Sequence, residues 1–342
     1  MHRPPTMADV ARVAGVSHQT VSRVLGGHPN VRDTTRAEVQ RAIAELGYRP
    51  NSSARALVTR RTRTLGVVAF DTTLFGPAST LAGIQEAARA DGYLTSSVSL
   101  RRLNREALTE ALEHLGDWGV DGAVVIAPRQ DAAAVLSEAR LAFPLVTVEG
   151  GGSADVPGVG VDQRLGAQLA TSHLLRAGHR TVRHVAGPQD WLAAQSRLDG
   201  WRSALDDAGA EVLPPLFGDW SPLSGYRAGQ QLAGQVGAHA GGTPLTAVFV
   251  ANDQMALGVL RAFREAGVRV PEDVAVAGFD DIPEAEYFAP PLTTVRQDFQ
   301  ALGRASIGLL LDRMQGALPA DPHLLVAPEL IVRSSTTPAP RP

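Results

Sequence analysis

Residues 7–25, MADVARVAGVSHQTVSRVL, have the pattern of two short amphipathic helices joined by a glycine turn. In the first helix, apolar side chains recur three and four residues apart, which places them on one helical face. A glycine follows where a helix stop is expected. The residues concerned are Met7, Val10, Ala11, Ala14 and Gly15.

The second helix begins after Ser17, a residue type that favours the helix N-cap. Its predicted buried face consists of Val21, Val24 and Leu25, and its polar face of His18, Gln19, Ser22 and Arg23. Glutamine pairs with the edge of adenine and arginine with that of guanine, so this helix suits the major groove of B-DNA. The alternative is a helical hairpin with a solvated polar face, but the cap, the turn glycine and the polar face all agree with a helix-turn-helix.

A third amphipathic helix is predicted over residues 35–46, with Asp33 or Thr34 as its cap and Gly47 as its stop. Its apolar face consists of Val39, Ala42, Ile43 and Leu46. Three helices of this length make a DNA-binding head at residues 1–50. Residues 51–63 form a polar, arginine-rich hinge, for which we expect helical structure only when DNA supplies contacts.

Charge and composition limit the classes of function. The 342 residues carry a net charge of −3, but residues 1–63 hold 11 arginines against four acidic residues. A basic head on an acidic remainder suits a protein whose small end meets phosphate groups. The chain has no cysteine and no lysine, which excludes disulfides, cysteine-ligated zinc, Walker A phosphate binding and Schiff-base chemistry. No membrane span and no signal peptide are evident, so we expect no membrane partner and a cytoplasmic location.

From residue 64 onward, apolar runs alternate with longer amphipathic segments. The first series contains LGVVAF, YLTSSVSL, GAVVIA and LVTVEG, and a second series begins near residue 181 with VRHVAG, AVFVAN and VAVAGF. Strands separated by helices in this manner form parallel sheets. The expected fold class is therefore an N-terminal all-α head followed by an α/β core of two doubly wound parallel-sheet subdomains.

The predicted core subdomains are both discontinuous in sequence. Residues 64–162 with 294–324 form the N-terminal subdomain, and residues 163–293 with 325–337 form the C-terminal one. Residues 338–342 are expected to be a disordered tail, because proline-rich segments of this kind lack a packed core.

The loops that follow the apolar runs are the candidate binding sites, because ligands of parallel sheets bind at the carboxyl ends of strands. They lie at positions 70–76, 149, 189–197, 219–220, 252–253 and 280–281. Carboxylates and arginine bind neighbouring hydroxyls bidentately, and a tryptophan face packs on a sugar ring, so the set suits a polyhydroxylated ligand. Taken singly, each residue is also explained as a loop cap or a structural salt bridge.

We predict no catalytic residue, no metal site and no cofactor. Asp280 and Asp281 are adjacent, so their side chains should point apart rather than form a catalytic pair. His179 and His184 lack the intervening glutamate of a zinc-protease motif, and no nucleophile elbow is present.

Several ordered motifs together resemble the lactose repressor family (LacI/GalR type) of bacterial transcription regulators. They are MADVARVAGVSHQTVSRVL, PNSSARAL, VDQRLGAQLA, GDWSPLSGY, VANDQMALG, VAGFDDIPEAEYFAPPLTTVRQDF and IVRSST, and they extend from residue 6 to residue 337. The resemblance implies a homodimer on double-stranded operator DNA, with hinge helices in the minor groove. It also implies that the core subdomains resemble periplasmic binding proteins and clamp a small-molecule effector.

The resemblance implies a role for individual residues. On DNA, His18, Gln19 and Arg23 would read the major groove, and Leu57 would wedge into a central base step. Positions near phosphates would be Ser17, Thr20, Ser22 and Asn51. The effector would be bound by Leu74, Glu149, Arg197, Trp220, Asn252, Asp280, Gln297 and Phe299.

The chain also departs from the lactose-responsive pattern of that family. His18-Gln19 replaces Tyr-Gln and Gly26 replaces Asn, so we expect a different operator. Glu149 replaces Asp and Val161 replaces an aromatic residue, so the pocket should differ in shape. No leucine heptad follows Arg333, which favours a dimer over a tetramer.

The sequence therefore predicts a repressor of sugar-utilisation genes that a β-galactoside or β-glucoside-like inducer releases from its operator. One alternative is a regulator that requires a non-sugar metabolite as corepressor. A sugar-binding protein and a sugar-processing enzyme are the alternatives from other classes; the DNA-binding head argues against the first and the missing acid/base pair against the second.

Overall fold

The computed structural model describes residues 3, 5–26, 28–48, 61–101, 104–129, 132, 135–136, 138, 141–149, 156–236, 244–317 and 323–336, and all structural statements concern these residues. The chain forms two compact units, residues 1–63 and residues 64–342. Asn51, Leu57 and the hinge segment 51–60 lie outside the described residues, as does the predicted tail.

The described residues of the first unit form three helices, α1 (Met7–Val13), α2 (His18–Leu25) and α3 (Asp33–Leu46). Their apolar faces meet in a small core in which Val10, Val21 and Val39 are completely buried. Burial of these faces, rather than intrinsic helix propensity, stabilises helices as short as α1 and α2. The prediction of three helices is confirmed.

The ends of the helices follow local chemistry, with one difference from expectation. Gly15 and Gly47 have φ of +63° and +60°, a left-handed conformation that glycine adopts without strain. The helix α3 starts at Asp33, after Arg32 as N-cap, and no side chain caps it. The predicted cap by Asp33 or Thr34 is therefore wrong; Asp33 instead places its charge in the first turn, where it complements the helix dipole.

The second unit alternates strands and helices. In chain order its elements are β1 (Thr64–Phe70), α4 (Phe75–Ala90), β2 (Leu94–Leu100), α5 (Arg105–Asp117), β3 (Gly122–Ile126), β4 (Leu145–Val148), β5 (Gly158–Val161), α6 (Gln163–Arg176), β6 (Arg183–Ala186), α7 (Leu192–Asp207), β7 (Leu216–Phe217), α8 (Pro222–Ala233), β8 (Ala247–Val250), α9 (Asp253–Glu265), β9 (Ala275–Ala277), a 3-10 helix (Pro283–Tyr287), β10 (Thr294–Arg296), α10 (Phe299–Met314), β11 (His323–Val326) and β12 (Glu329–Ile331).

Apart from β10 and β12, the described strands form two parallel sheets, each at the centre of one lobe. Lobe I has the order β11-β5-β4-β3-β1-β2, and lobe II the order β7-β6-β8-β9. The helices α4 and α10 pack together on lobe I, and the pairs α6/α7 and α8/α9 pack on lobe II. Two parallel-sheet subdomains are thus confirmed.

Strand pairing refines the predicted division of the core. The strand β10 pairs antiparallel with β12. The backbone of Arg296 also forms a parallel β-bridge with that of Asp280 in lobe II, so residues 294–296 join lobe II. All of β11 pairs with β5, so residues 323–326 join lobe I. The strands β5 and β7 had not been predicted. Short strands of two to four residues carry too little periodicity to show which sheet they join.

The packing of α8 against α9 fixes two loops of lobe II. A Cβ atom on Gly225 would overlap the backbone of Met255, and one on Gly258 would overlap the backbone of Pro222. The two helices therefore approach with their backbones in contact, which holds the loops before them, at Trp220 and Asn252, close together. In the part of the chain that the structure describes, no helix is both long and apolar enough to span a bilayer.

Candidate functional sites

The polar face of α2 is exposed as the sequence predicts. His18, Gln19, Ser22 and Arg23 are exposed, whereas Val21 and Val24 on the opposite face are buried. Ser17 caps the helix: its hydroxyl oxygen accepts a hydrogen bond from the backbone N–H of Thr20 at 3.1 Å and lies 2.9 Å from the Thr20 hydroxyl. The exposed side chains and the Ser17-capped N-terminal turn of α2 are thus presented together on one surface of the head.

A cavity lies between the two lobes, at the carboxyl ends of their strands. It encloses about 610 Å³ of empty space, including the part that is open to solvent. All eight predicted effector residues line it: Leu74, Glu149, Arg197, Trp220, Asn252, Asp280, Gln297 and Phe299. Their convergence on one cavity is an observation; their binding of an effector stays a prediction.

Several cavity residues adopt a backbone conformation that L-amino acids rarely use. Glu149, Trp220 and Asp280 have φ of 58°, 72° and 112°. Each follows a strand end or precedes a helix start, so the left-handed turn directs its side chain into the cavity. Each such backbone conformation costs about 1–3 kcal/mol of folding free energy, and residues that adopt one concentrate at functional sites.

A buried polar network forms the floor of the cavity around Arg197. The guanidinium donates from Nε to Gln163 Oε1 at 2.9 Å, from Nη2 to Asp280 Oδ1 at 3.4 Å, and from Nη1 to the carbonyl oxygen of Ala251. Gln297 Nε2 donates to Asp280 Oδ1 at 2.7 Å. The guanidinium also lies over the ring of Phe279, 3.7 Å from its centroid, so both its edge and its face are held in position.

Two glutamines connect the lobes within this network. Gln163 Nε2 donates to Gln297 Oε1 at 2.8 Å and lies 3.3 Å from Glu149 Oε2. Gln163 and Gln297 stand where the chain crosses between the lobes, after β5 and after β10 respectively. Glu149 is also held by the backbone N–H of Val161, which donates to its Oε1 at 2.9 Å.

Burial dominates the ionisation of the cavity carboxyls. Burial raises the pKa of Asp280 to about 6, although Arg197 and Gln297 oppose the shift. Burial also raises the pKa of Glu149, opposed by the N–H of Val161 and the charge of Arg197. The pKa of Arg197 is lowered by burial, but Asp280 and Glu149 favour its charged form. The site thus holds a fixed cation beside two carboxyls whose pKa values are both raised by burial, that of Asp280 to about 6.

The opposite wall is aromatic and carries donors. Asn252 caps α9 through its Oδ1, which accepts from Met255 N at 2.9 Å, and its Nδ2 donates to Trp220 O at 3.2 Å. This contact fixes the backbone turn that carries the Trp220 indole. The indole N–H of Trp220 is buried without a hydrogen-bond partner among the described residues, so an oxygen of a bound molecule would satisfy it.

The structure adds residues that the sequence analysis did not single out. Trp191 and Gln163 line the cavity, together with Phe75, Pro77, Thr80, Ile126, Pro128, Ala193 and Gln254. Phe75, Trp191 and Ala193 lie in the predicted site loops 70–76 and 189–197, although none was named individually. For Trp191, a large aromatic residue just before a helix was the signal available. Gln163 follows β5, which was not predicted as a strand, so no strand end pointed to it.

Other acidic residues of the predicted loops are structural. Asp253 is completely buried and accepts from Thr294 Oγ1 at 2.7 Å and from Ile282 N at 3.0 Å. Asp281 pairs with Arg296 at 2.7 Å and with Arg333 at 2.7 Å. The side chains of Asp280 and Asp281 therefore point apart, as predicted. In the described ranges, no group of three or more histidine, aspartate or glutamate side chains is placed to hold a metal ion.

Known proteins match nearly the whole chain. Residues 6–51 match "Bacterial regulatory proteins, lacI family", and residues 171–336 match "Periplasmic binding protein-like domain". The lactose operon repressor of Escherichia coli (strain K12) is 34% identical over 339 residues, which cover 99% of this chain and 92% of the repressor. Among solved structures, the Lac repressor dimer bound to operator and the anti-inducer ONPF is similar with a TM-score of 0.84 and 34% identity, over 98% of this chain and 99% of that one. A complex of the transcriptional regulator CelR with cellobiose is similar with a TM-score of 0.69 and 36% identity, over 97% and 99%.

Proposed function

The chain belongs to the lacI family of bacterial regulatory proteins, which are DNA-binding transcription regulators and not enzymes, and on this basis we propose that it is a repressor that a sugar releases from its operator. The observation that carries the sugar proposal is the composition of the cavity. A fixed guanidinium, carboxyls and an amide on its floor face a tryptophan wall. Planar charged groups bind neighbouring hydroxyls bidentately, and an aromatic face covers the C–H surface of a pyranose.

We propose that α2 enters the major groove. His18, Gln19 and Arg23 would contact base edges, and Ser17, Thr20 and Ser22 would lie near phosphates, since the exposed face of α2 presents these side chains together. Asn51 and Leu57 keep the roles that the family resemblance implies, a phosphate contact and a wedge between bases. Operator binding takes place in the cytoplasm, where bacterial DNA is found.

We propose that two copies bind one operator as a homodimer. The helices α8 and α9 present Leu223 and Leu257 to solvent with exposures of 57% and 43%, beside a surface groove that Tyr226 and Phe288 also line. An exposed apolar patch of this kind marks a protein interface. Replacing Leu257 by aspartate should lower the dimer fraction in sedimentation velocity, since it would bury an unpaired charge.

The coupling between cavity and operator requires that the effector prefer one arrangement of the two lobes. Leu74, Glu149 and Phe299 reach the cavity from lobe I, whereas Arg197 and Asp280 reach it from lobe II. A sugar that contacts both sets binds differently to different lobe arrangements, and this differential affinity is all that allosteric release needs.

The proposal is tested by selecting an operator from random duplexes with the full-length protein and measuring its affinity by fluorescence anisotropy. Cellobiose, lactose, glucose and galactose are then added in turn. We expect one of these sugars to release the operator. If every sugar leaves operator binding unchanged and a non-sugar metabolite added in the same assay strengthens it, the corepressor alternative is supported instead. Turnover of a sugar would contradict assignment to a regulator.

A further inference from the structure

We propose that Trp191 determines the specificity of the cavity: its indole forms a second aromatic wall that selects a two-ring glycoside, such as a disaccharide, over a single sugar ring. This inference rests on the sugar-binding function proposed above and narrows it to a substrate class. It concerns a residue that neither the motifs nor the family resemblance singled out.

The geometry of the aromatic wall supports two ring positions. The indole of Trp191 lies with its centroid 5.8 Å from that of Trp220, and the two planes are at 78° to each other. A pyranose that packs flat on one of these rings cannot lie flat on the other. The second wall therefore offers its apolar surface to a second ring, which sits at an angle to the first across a glycosidic bond.

Trp191 is held from both lobes. Its backbone forms an antiparallel bridge with Arg129, and Leu192 N donates to Pro128 O at 2.9 Å. Arg129 Nη1 also pairs with Asp190 Oδ2 at 2.6 Å. The residues 128–129 follow β3 of lobe I, whereas Trp191 precedes α7 of lobe II. The two backbone contacts, rather than the partly exposed ion pair, position Trp191 before any ligand arrives, so binding incurs little additional loss of side-chain entropy.

A second tryptophan of the same lobe shows the contrasting structural role. Trp201 in α7 is completely buried, donates its indole N–H to Val182 O at 2.9 Å and is absent from the cavity lining. Trp191 lines the cavity and packs against Phe70 of lobe I, with ring centroids 5.7 Å apart. Its position fits ligand contact in addition to packing.

The experiment measures binding by isothermal titration calorimetry for four probes: cellobiose, lactose, methyl β-glucoside and methyl β-galactoside. The proteins compared are the parent, Trp191→Ala, Trp191→Phe and Asp190→Asn. We expect the parent to bind a disaccharide more tightly than the matching methyl glycoside. Trp191→Ala should weaken disaccharide binding by about tenfold or more, and methyl glycoside binding by less than about threefold.

Two variants separate ring contact from folding. Trp191→Phe keeps an aromatic wall, so its disaccharide affinity should stay within about fivefold of the parent even if Trp191→Ala folds poorly. Asp190→Asn breaks only the half-exposed ion pair beside the ring, and such pairs contribute little, so its affinities should change by less than about threefold.

The outcomes distinguish this inference from the function on which it rests. A parent that binds none of the four probes would overturn the proposed sugar effector and the role of Trp191 together. If the parent binds a disaccharide and Trp191→Phe or Trp191→Ala loses both probe classes equally, or binds the disaccharide better, only the role of Trp191 is overturned.

Discussion

Replacing Arg197 by alanine is the most informative single change in the cavity. The residue is 5% exposed, and its guanidinium donates to Gln163, to Asp280 and to the carbonyl of Ala251. Removing one partner of a buried charge pair costs about 3–5 kcal/mol of unfolding free energy. A hydrogen bond from a charged group to the effector is worth about 1.5–3 kcal/mol, which corresponds to roughly 10- to 150-fold weaker sugar binding for each bond lost.

The loss of stability should depend on pH in a defined direction. Arg197 lowers the pKa of both Asp280 and Glu149, so its removal raises both pKa values further above those of the unfolded chain. A carboxyl with a raised folded pKa binds more protons in the folded state, so the unfolding free energy increases as the pH falls through that pKa. The unfolding free energy that Arg197→Ala loses relative to the parent, its stability deficit, should therefore be larger at pH 8 than at pH 5.

Urea denaturation at both pH values measures the deficit, calorimetry with the effector sugar measures binding, and fluorescence anisotropy measures operator affinity without sugar. Operator affinity should be unchanged, because Arg197 lies in the core and not in the head. The matched control is Arg202→Ala, an exposed arginine on the same helix. Sugar affinity within threefold of the parent, or an equal deficit at pH 5 and pH 8, would refute this reasoning.

Three further predictions concern α2 and two titrating groups. Arg23→Ala should lose about 1–3 kcal/mol of DNA-binding free energy at one base position, whereas Arg41→Ala on α3 should leave the base preference unchanged. If Arg23→Ala bound both specific and random duplexes as tightly as the parent does, base reading by Arg23 would be ruled out. Because hydroxyl donors favour an ionised carboxylate and the pKa of Asp280 is about 6, sugar affinity should fall about tenfold between pH 7 and pH 5 in calorimetric titrations. Asp280→Asn should reduce this dependence to the part that Glu149 contributes, and an undiminished dependence would exclude Asp280 as the titrating group. Burial lowers the pKa of His184 to about 4, so the stability that its neutral form contributes is present above pH 6.5 and is lost as the pH falls from there toward 4. The loss of unfolding free energy approaches about 3 kcal/mol. In urea denaturation, the unfolding free energy of His184→Phe should fall less between pH 7 and pH 4.5 than that of the parent; an identical fall would show that His184 is not the group responsible.

The helix-turn-helix was predictable because its determinants are local. The spacing of Val21 and Val24, the cap at Ser17 and the glycine at position 15 each act within one or two helical turns. Such signals survive in the sequence whatever the rest of the chain does. The start of α3 was predicted two residues too late, because Asp33 is acceptable both as a cap and in the first turn of a helix.

The cavity was predictable only in outline. Apolar strands locate the loops that carry a site. The family resemblance then selected Asp280 rather than Asp281, and it selected Arg197 from the longer loop 189–197. The backbone turns of positive φ at Glu149, Trp220 and Asp280 leave no signature in residue type, because none of the three is glycine.

The sequence by itself determined the class of protein, the exposed polar face of α2 and eight of the residues that line the cavity. The tertiary structure decided which lobe the short strands β10 and β11 join, that Asp253 and Asp281 hold the fold together, and that Trp191 and Gln163 face the cavity. The physical reason is range. Helix periodicity and capping act between neighbours in sequence, whereas strand pairing and the approach of Trp191 to Arg129 across the cleft join residues that only the folded chain brings together.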